Sequence, residues 1–239
     1  MSVALVGAGP GDPELITVRG LRLLRAAEVL VHDRLAGEEL LAEAPADALR
    51  VARDGLAQDE VNRLLVAHGR HRRVVRLKGG DPFLFGRGGE EALALARAGV
   101  PFEVVPGVSA LAAVPGAAGI PVTHRGAASA VTAFAAHDVE ALDASALGHV
   151  PGTLVAFMGL AGLGRLTERL VAAGKHTSTP AAVISSGTTG RQRAVTAPLG
   201  AIAYAAAGLP TPALVVIGEV VAVGAELAAQ LAGARRSAA

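Results

Sequence analysis

The sequence contains no cysteine, and its charges nearly cancel. Without cysteine there are no disulfide bonds, no thiolate chemistry and no cysteine-ligated zinc or iron–sulfur sites, which fits a reducing compartment. The 22 lysines and arginines against 21 aspartates and glutamates give a net charge of +1. So small a charge produces no overall field to attract nucleic acid or an anionic membrane. We therefore expect neither as a partner, and we expect any cationic function to be local.

The sequence also lacks an uninterrupted apolar run of membrane-spanning length. Two stretches, 104–123 and 194–218, carry no charge, but each contains three prolines. Proline breaks a helix, so neither stretch predicts a lipid-exposed span. No basic segment precedes the N-terminal apolar "VALV", which runs straight into a glycine turn and so predicts a buried strand rather than a signal peptide. We expect a cytoplasmic protein.

Several catalytic motifs are absent as well. No set of His, Asp and Glu has the spacing of metal ligands, and neither a G-x-S-x-G elbow nor a Walker lysine loop occurs. The sequence therefore lacks the parts for metal-dependent, hydrolase or P-loop chemistry, and we expect no metal.

What the sequence does contain is an alternation of short apolar runs with longer amphipathic ones, beginning with "VALV", a helical stretch over 13–26 and "EVLVHD". Such alternation is typical of a mostly parallel sheet covered by helices on both faces. The regularity breaks into glycine, proline and small residues around 108–121 and then resumes. We therefore predict an α/β protein of two domains, 1–113 and 114–239, with parallel or mixed sheets.

The first glycine-rich turn, "VGAGPGDP", partly matches a dinucleotide-binding fingerprint. Gly7 and Gly9 follow the first strand, and Asp33 ends the second, where such proteins place a ribose-binding acid. The third glycine of the fingerprint belongs at the position of Asp12, however, and Pro10 lies inside the turn. A nicotinamide-linked dehydrogenase and a purely structural turn are both alternatives at this point.

The stretch "RLKGGDPFLFGRGGEE" follows a predicted buried strand, and its "GGD" lies at the carboxyl end, the edge where open α/β sheets bind ligands. Gly79 and Gly80 allow a ligand to approach the backbone closely, or they simply supply positive φ angles. Asp81 is held extended by the proline after it, and its carboxylate is suited to accept a hydrogen bond from a ligand hydroxyl or ammonium group. The alternative is that Asp81 only caps a turn.

Arg87 lies between glycines just before a predicted helix. A long cation in such a sequence has no packing reason to be there, which favours a role in ligand binding. Glu90 and Glu91 fall in the first turn of that helix, where acids commonly just offset the positive helix end.

A third segment, "GIPVTHRG", places His124 and Arg125 after a proline near the domain boundary. A single histidine is more often a structural group than a catalyst. The residues themselves leave this choice open.

Taken together, seven segments resemble the tetrapyrrole methylase family in order, most closely its uroporphyrinogen-III C-methyltransferases. They are "VGAGPGDPELITVRG", "AEVLVHD", "RLKGGDPFLFGRGGEEA", "PFEVVPGVSA", "GIPVTHRG", "FMG" and "PALVVIGEVV". The resemblance implies two α/β domains with a cleft between them, a homodimer, and S-adenosylmethionine as the methyl donor. The donor-binding positions that it implies are Pro10, Gly79, Gly80, Asp81, Ser109, Ala110, Met158, Gly187 and Ala213.

The resemblance also implies a substrate, a reaction and the residues that serve it. The substrate is uroporphyrinogen III, which carries eight carboxylates, and methylation at C2 and C7 gives precorrin-2. The implied catalytic residues are Arg87, Glu90 and Asp33, and His124 and Arg125 are implied to bind the substrate. The pathway that uses the product is not implied.

The segment before the third helix departs from the family pattern. Members usually carry "GKR" and a glycine-rich loop before the third helix, whereas this chain has the shorter "VARDGLAQDEVN", in which only Arg53 matches. This departure keeps open a related precorrin methyltransferase or a non-catalytic tetrapyrrole-binding protein. A dehydrogenase would explain only Gly7, Gly9 and Asp33.

Overall fold

The computed structural model describes residues 1–237 and divides the chain into two units, one from Met1 to Ala110 and one that starts at Leu111. Helix α5, Ala110–Ala117, begins at the last residue of the first unit. The domain boundary that the sequence predicts after residue 113 falls inside this helix.

The first unit is built on a five-stranded sheet in which every pair of neighbours is parallel. The spatial order is β3-β2-β4-β1-β5. Its strands are β1 Ser2–Gly7, β2 Val29–His32, β3 Leu49–Ala52, β4 Arg73–Lys78 and β5 Phe102–Val105. Its helices are α1 Val18–Leu24, α2 Glu38–Ala42, α3 Gln58–Gly69 and α4 Gly88–Arg97. Because the strands are parallel, the loops that follow them all emerge at one edge of the sheet.

Helices cover both faces of this sheet, as the alternation in the sequence predicts. Leu24 of α1 and Leu40 of α2 belong to the core on one face, while Leu65 of α3 and Leu95 of α4 belong to the core on the other. The stretch 13–26, predicted as one helix, is instead a 3₁₀ turn, Pro13–Leu15, followed by α1. The break arises because Thr17 is extended and caps α1 by accepting a hydrogen bond from the backbone of Gly20.

The second unit carries a mixed sheet in the order β6-β7-β10-β8-β9. Only β6 and β7 are parallel, and the other neighbours are antiparallel. Its strands are β6 Val131–Ala135, β7 Thr153–Phe157, β8 Pro180–Ser185, β9 Arg193–Pro198 and β10 Ala213–Ile217. Its further helices are α6 Ala144–His149, α7 Leu163–Ala172, α8 Ile202–Ala205 and α9 Val220–Ser237.

The core of the second unit forms where α7 and α8 pack on the sheet through Leu166, Leu170 and Ile202. The predicted α/β class with parallel and mixed sheets is confirmed in both units. None of the helices in the described part of the chain combines the length and the apolar character needed to cross a membrane.

Candidate functional site

The loops that follow β1 and β4 are joined by backbone hydrogen bonds at the carboxyl edge of the first sheet. The amide of Ala8 donates to the carbonyl of Lys78 at 2.7 Å, which extends the pairing of the two strands. Gly9 and Gly80 then exchange hydrogen bonds in both directions, at 3.3 and 2.7 Å. The two glycine-rich segments that the sequence singled out therefore form one continuous backbone surface.

Glycine is required where the loop after β5 meets the other two loops. A Cβ atom on Gly107 would lie 2.2 Å from the carbonyl oxygen of Gly80, and one on Gly7 would lie 2.4 Å from Cα of Gly107. No side chain of any kind fits between these three backbones. Their packing holds the three loops against one another.

The two neighbouring glycines after β4 have different surroundings. Gly80 adopts a φ of +66°, and a Cβ atom built there would meet no atom closer than the amide nitrogen of Ala110 at 4.0 Å. The backbone of Gly80 is therefore open to a ligand on the side where other residues carry a side chain. A Cβ atom on Gly79, by contrast, would lie 3.0 Å from Cβ of Leu35. The missing side chain at Gly79 therefore leaves room for Leu35 rather than for a ligand. Gly80 is the better candidate for close approach of a ligand.

Asp81 ties two of these loops together. One carboxylate oxygen accepts from the backbone amide of Phe83 at 2.8 Å, and the other accepts from the amide of Gly107 at 3.0 Å. Asp81 therefore caps its own turn, as the structural alternative predicted, and it also accepts a hydrogen bond from the loop after β5. A carboxylate oxygen has two lone pairs, so each retains capacity for a ligand.

The remaining predicted donor-binding residues of the first unit lie at the same edge. Pro10 follows Gly9, Ser109 ends the loop after β5, and Ala110 begins α5. All three are partly exposed. The structure thus brings Pro10, Gly80 and Asp81 together with the start of α5.

Arg87 and Glu90 form a forked ion pair with each other. Nε and Nη2 of Arg87 each donate to one carboxylate oxygen of Glu90, both at 2.8 Å. These hydrogen bonds hold the pKa of Glu90 below its ordinary value and raise that of Arg87. Both side chains are about half exposed, so the pair contributes little to stability. Arg87 also has a φ of +59°, which is uncommon for a residue with a side chain and points to a local constraint.

Behind this edge lies a buried cluster of charges that the sequence motifs did not predict. Arg76 and Lys78 of β4 and Glu91 of α4 are all 0–1% exposed. Arg76 Nε donates to Glu91 at 2.9 Å, and Lys78 Nζ approaches the same carboxylate at 2.9–3.0 Å. Burial, together with repulsion from Arg76, lowers the pKa of Lys78.

Asp33 joins this cluster from the end of β2. Its Oδ1 accepts a hydrogen bond from Nη2 of Arg76, and its side chain keeps 22% of its surface exposed. Of the three predicted catalytic residues, Arg87 and Glu90 are therefore a surface pair, whereas Asp33 is anchored to a buried cation.

In the second unit, the predicted donor-binding residues lie at one end of the mixed sheet. Met158 directly follows β7, has a φ of +57° and is 50% exposed. Ala213 opens β10 and pairs with Ser185, the last residue of β8. Gly187 comes shortly after β8, and a Cβ atom there would lie 2.5 Å from the side chain of Val114. Close packing against Val114 is therefore a sufficient reason for glycine at this position.

His124 and Arg125 lie in a turn closed by backbone hydrogen bonds. His124 and Ala128 exchange them at 3.0 and 2.9 Å, and the side chains of His124 and Arg125 are exposed. His124 is therefore not a buried structural histidine. Across the described residues, no three His, Asp or Glu side chains are grouped so as to hold a metal ion.

Comparisons with known proteins place these features in a family context. Residues 2–203 match the family model of the tetrapyrrole (corrin/porphyrin) methylases. The chain is 47% identical to a siroheme synthase from Methylococcus capsulatus and 47% identical to a siroheme synthase from Yersinia enterocolitica, over 95% and 92% of its length. It spans about half the length of these curated relatives, 51% and 48%.

Two solved structures resemble it over most of their own length. One is a uroporphyrin-III C-methyltransferase from Thermus thermophilus complexed with S-adenosylhomocysteine. It is 43% identical with a TM-score of 0.83, and the match covers 93% of this chain and 100% of that one. The other is a cobalt-precorrin-4 methyltransferase, 28% identical with a TM-score of 0.84, over 92% of this chain and 95% of that one.

Proposed function

The chain belongs to the tetrapyrrole (corrin/porphyrin) methylase family, as its sequence motifs predicted, and we propose that it is an S-adenosylmethionine-dependent C-methyltransferase of uroporphyrinogen III. The products are precorrin-2, methylated at C2 and C7, and two molecules of S-adenosylhomocysteine. The proposal is supported by the similarity to the Thermus enzyme over the whole of that chain. It concerns this chain alone and not the longer siroheme synthases.

The observation that carries the proposal is the open backbone of Gly80 among three interlocked loops. A donor as large as S-adenosylmethionine needs polar backbone groups that it can approach without side chains in the way. Gly80, with Pro10, Asp81, Ser109 and Ala110 around it, offers such a surface. We propose these residues as donor contacts, with Met158, Gly187 and Ala213 as further contacts from the second unit. We keep Gly79 among the proposed donor contacts because its backbone directly precedes that of Gly80.

The reaction requires alignment and one proton acceptor. A pyrrole carbon attacks the sulfonium methyl in line, the methyl–sulfur bond breaks with its electron pair going to sulfur, and a proton leaves the macrocycle. The donor is already activated by its positive sulfur, so the protein mainly orients the two reactants and excludes water.

Among the predicted catalytic residues, Asp33 is the best suited to accept that proton. Arg87 stays protonated and is a poor base. Both carboxylate oxygens of Glu90 accept hydrogen bonds from Arg87, whereas Arg76 binds Asp33 through Oδ1, so Oδ2 of Asp33 is the atom proposed to take the proton. Arg87 is assigned to binding a substrate carboxylate, and we propose His124 and Arg125 as further contacts to the substrate carboxylates.

The test is an anaerobic incubation of the protein with uroporphyrinogen III and S-adenosylmethionine, with methyl groups counted by mass spectrometry and S-adenosylhomocysteine quantified. We expect two added methyls for each macrocycle. Binding of NAD(H) with no response to S-adenosylhomocysteine would instead identify a dehydrogenase. Donor and macrocycle binding without any transfer would identify a non-catalytic binding protein.

A second candidate acceptor is a later precorrin. The structural similarity to the cobalt-precorrin-4 methyltransferase supports it, as does the shortened segment 51–62. In that segment, the Arg53 guanidinium donates to the carbonyl of Leu56 at 3.2 Å. Methyl transfer to a precorrin with none to uroporphyrinogen III, in the same assay, would favour this candidate.

Replacing Asp81 with asparagine should weaken donor binding about 10-fold and lower the free energy of unfolding by about 1–3 kcal/mol. Each carboxylate oxygen accepts from a backbone amide, and an asparagine NH₂ group would face one of those donors. Calorimetric titration with S-adenosylhomocysteine and urea unfolding measure the two effects. Asp47→Asn, at an exposed position, should change neither. Donor affinity equal to that of the parent protein would remove Asp81 from the donor site.

A further inference from the structure

The charged cluster in the first unit occupies the part of the core nearest the candidate site. Side chains alternate along β4, so Val74, Arg76 and Lys78 share the face covered by α3 and α4. Val74 lies among apolar residues, whereas Arg76 and Lys78 lie at the carboxyl end of the strand. Removing such charges from water is expensive, and apolar replacements are often at least as stable. Stability alone is therefore a weak reason for this cluster.

The guanidinium of Arg76 bridges two acids that lie on different elements. Nε donates to the fully buried Glu91 at 2.9 Å, Nη2 donates to the partly exposed Asp33, and Nη1 donates to the carbonyl of Leu77 at 3.1 Å. Gln58 of α3 makes a longer contact to Glu91, at 3.4 Å. The bridge thus runs from the inside of the unit to the edge of its sheet.

The charges balance only when Asp33 is included. Arg76 and Lys78 together exceed Glu91 by one positive charge, and Asp33 supplies the missing negative charge. The Asp33 carboxylate is therefore held in place both by attraction to the excess positive charge of the cluster and by the hydrogen bond from Arg76. The hydrogen bond from the buried Arg76 fixes the orientation of the Asp33 carboxylate, while the exposed part of the Asp33 side chain is accessible to a ligand.

We propose that Arg76 is a positioning residue for methyl transfer, one that fixes the Asp33 carboxylate at the carboxyl edge of the sheet and is itself fixed by Glu91. This inference rests on the proposed function. Arg76 does not touch the reactants. The competing interpretation is that Arg76 only fastens β4 to α4.

Arg76→Lys separates the two interpretations. A lysine keeps a positive charge next to Glu91, but its ammonium is a single point and cannot reach Asp33 and Glu91 in the same forked geometry. We expect kcat to fall about 10–100-fold, because small displacements of a reacting group have effects of this size, while the Kd for S-adenosylhomocysteine changes less than about 2-fold. Asp33→Asn should show the same pattern.

The decisive comparison is the double variant Arg76→Lys with Asp33→Asn. If Arg76 acts through Asp33, kcat of the double variant equals that of Asp33→Asn alone. If the two losses multiply, the inference is overturned. Gln58→Leu is the matched control, since Gln58 contacts Glu91 but not Asp33, and it should leave kcat unchanged. An equal loss of kcat in Gln58→Leu would show that general damage to the cluster is responsible.

Circular dichroism and thermal unfolding establish first that Arg76→Lys is folded. If it is not, Asp33→Glu provides the test in a folded protein, because Asp33 lies at the sheet edge. The longer side chain keeps the charge but moves the carboxylate, so a kcat equal to that of the parent protein would contradict positioning and a comparable loss would support it. Absence of turnover in the parent protein would count against the proposed function instead, so the two failures are distinguishable.

Discussion

Arg87→Ala is expected to lower kcat/KM for methyl transfer to uroporphyrinogen III by at least about 100-fold, while the Kd for S-adenosylhomocysteine stays within about 2-fold. In the structure, the guanidinium already holds a carboxylate in the forked geometry that a substrate carboxylate would need. The exposed pair with Glu90 contributes little, so a substrate carboxylate can replace Glu90 at small cost. Hydrogen bonds to charged groups contribute about 1.5–3 kcal/mol each, so losing both substrate contacts accounts for a 100-fold effect. Steady-state kinetics and calorimetric titration measure the two quantities.

Two controls separate substrate binding from loop structure in this experiment. Arg63→Ala removes an exposed arginine of α3 and should change neither quantity. Glu90→Gln breaks the ion pair but keeps the Arg87 guanidinium, so it should retain more activity than Arg87→Ala. A large loss of donor affinity in Arg87→Ala would contradict the assignment of Arg87 to the substrate.

Gly107→Ala is expected to weaken donor binding at least about 100-fold and to lower the free energy of unfolding by about 2–4 kcal/mol. The added methyl would lie 2.2 Å from the Gly80 carbonyl oxygen and 2.7 Å from Cα of Gly7. Both are backbone atoms that cannot rotate away. The loop after β5 must therefore separate from the other two loops, and the amide that it donates to Asp81 moves with it.

Urea unfolding and titration with S-adenosylhomocysteine measure the effects of Gly107→Ala. The matched control is Gly89→Ala in the exposed first turn of α4, where a Cβ atom meets nothing within 4 Å. Alanine favours a helix, so this control should leave donor binding unchanged and should stabilise the protein by up to about 1 kcal/mol. Normal donor binding by Gly107→Ala would show that the packed loops are not the donor site.

The burial of Glu91 could not be read from its position beside Glu90. Both acids fall in the first turn of α4 and were expected to offset the positive helix end, but Glu91 is fully buried, while the catalytic role that the resemblance implies for Glu90 stays a prediction. A signal for this was present, because Gly88, Glu91, Ala92 and Leu95 are spaced as the buried face of one helix. Alternation along β4 likewise put Arg76 and Lys78 on the same face as Val74. Neither pattern says which acid meets which cation.

The sequence by itself determined the α/β alternation, the glycine-rich loops and the edge of the sheet at which they meet. These features follow from local rules, since burial sets the spacing of apolar residues and parallel strands end on one side. Only the tertiary structure decided that Gly80 is open while Gly79 packs on Leu35, and that Asp33 is bound to Arg76. Such pairings join residues 43–44 positions apart, and they depend on the order in which strands lie side by side, which local spacing does not encode.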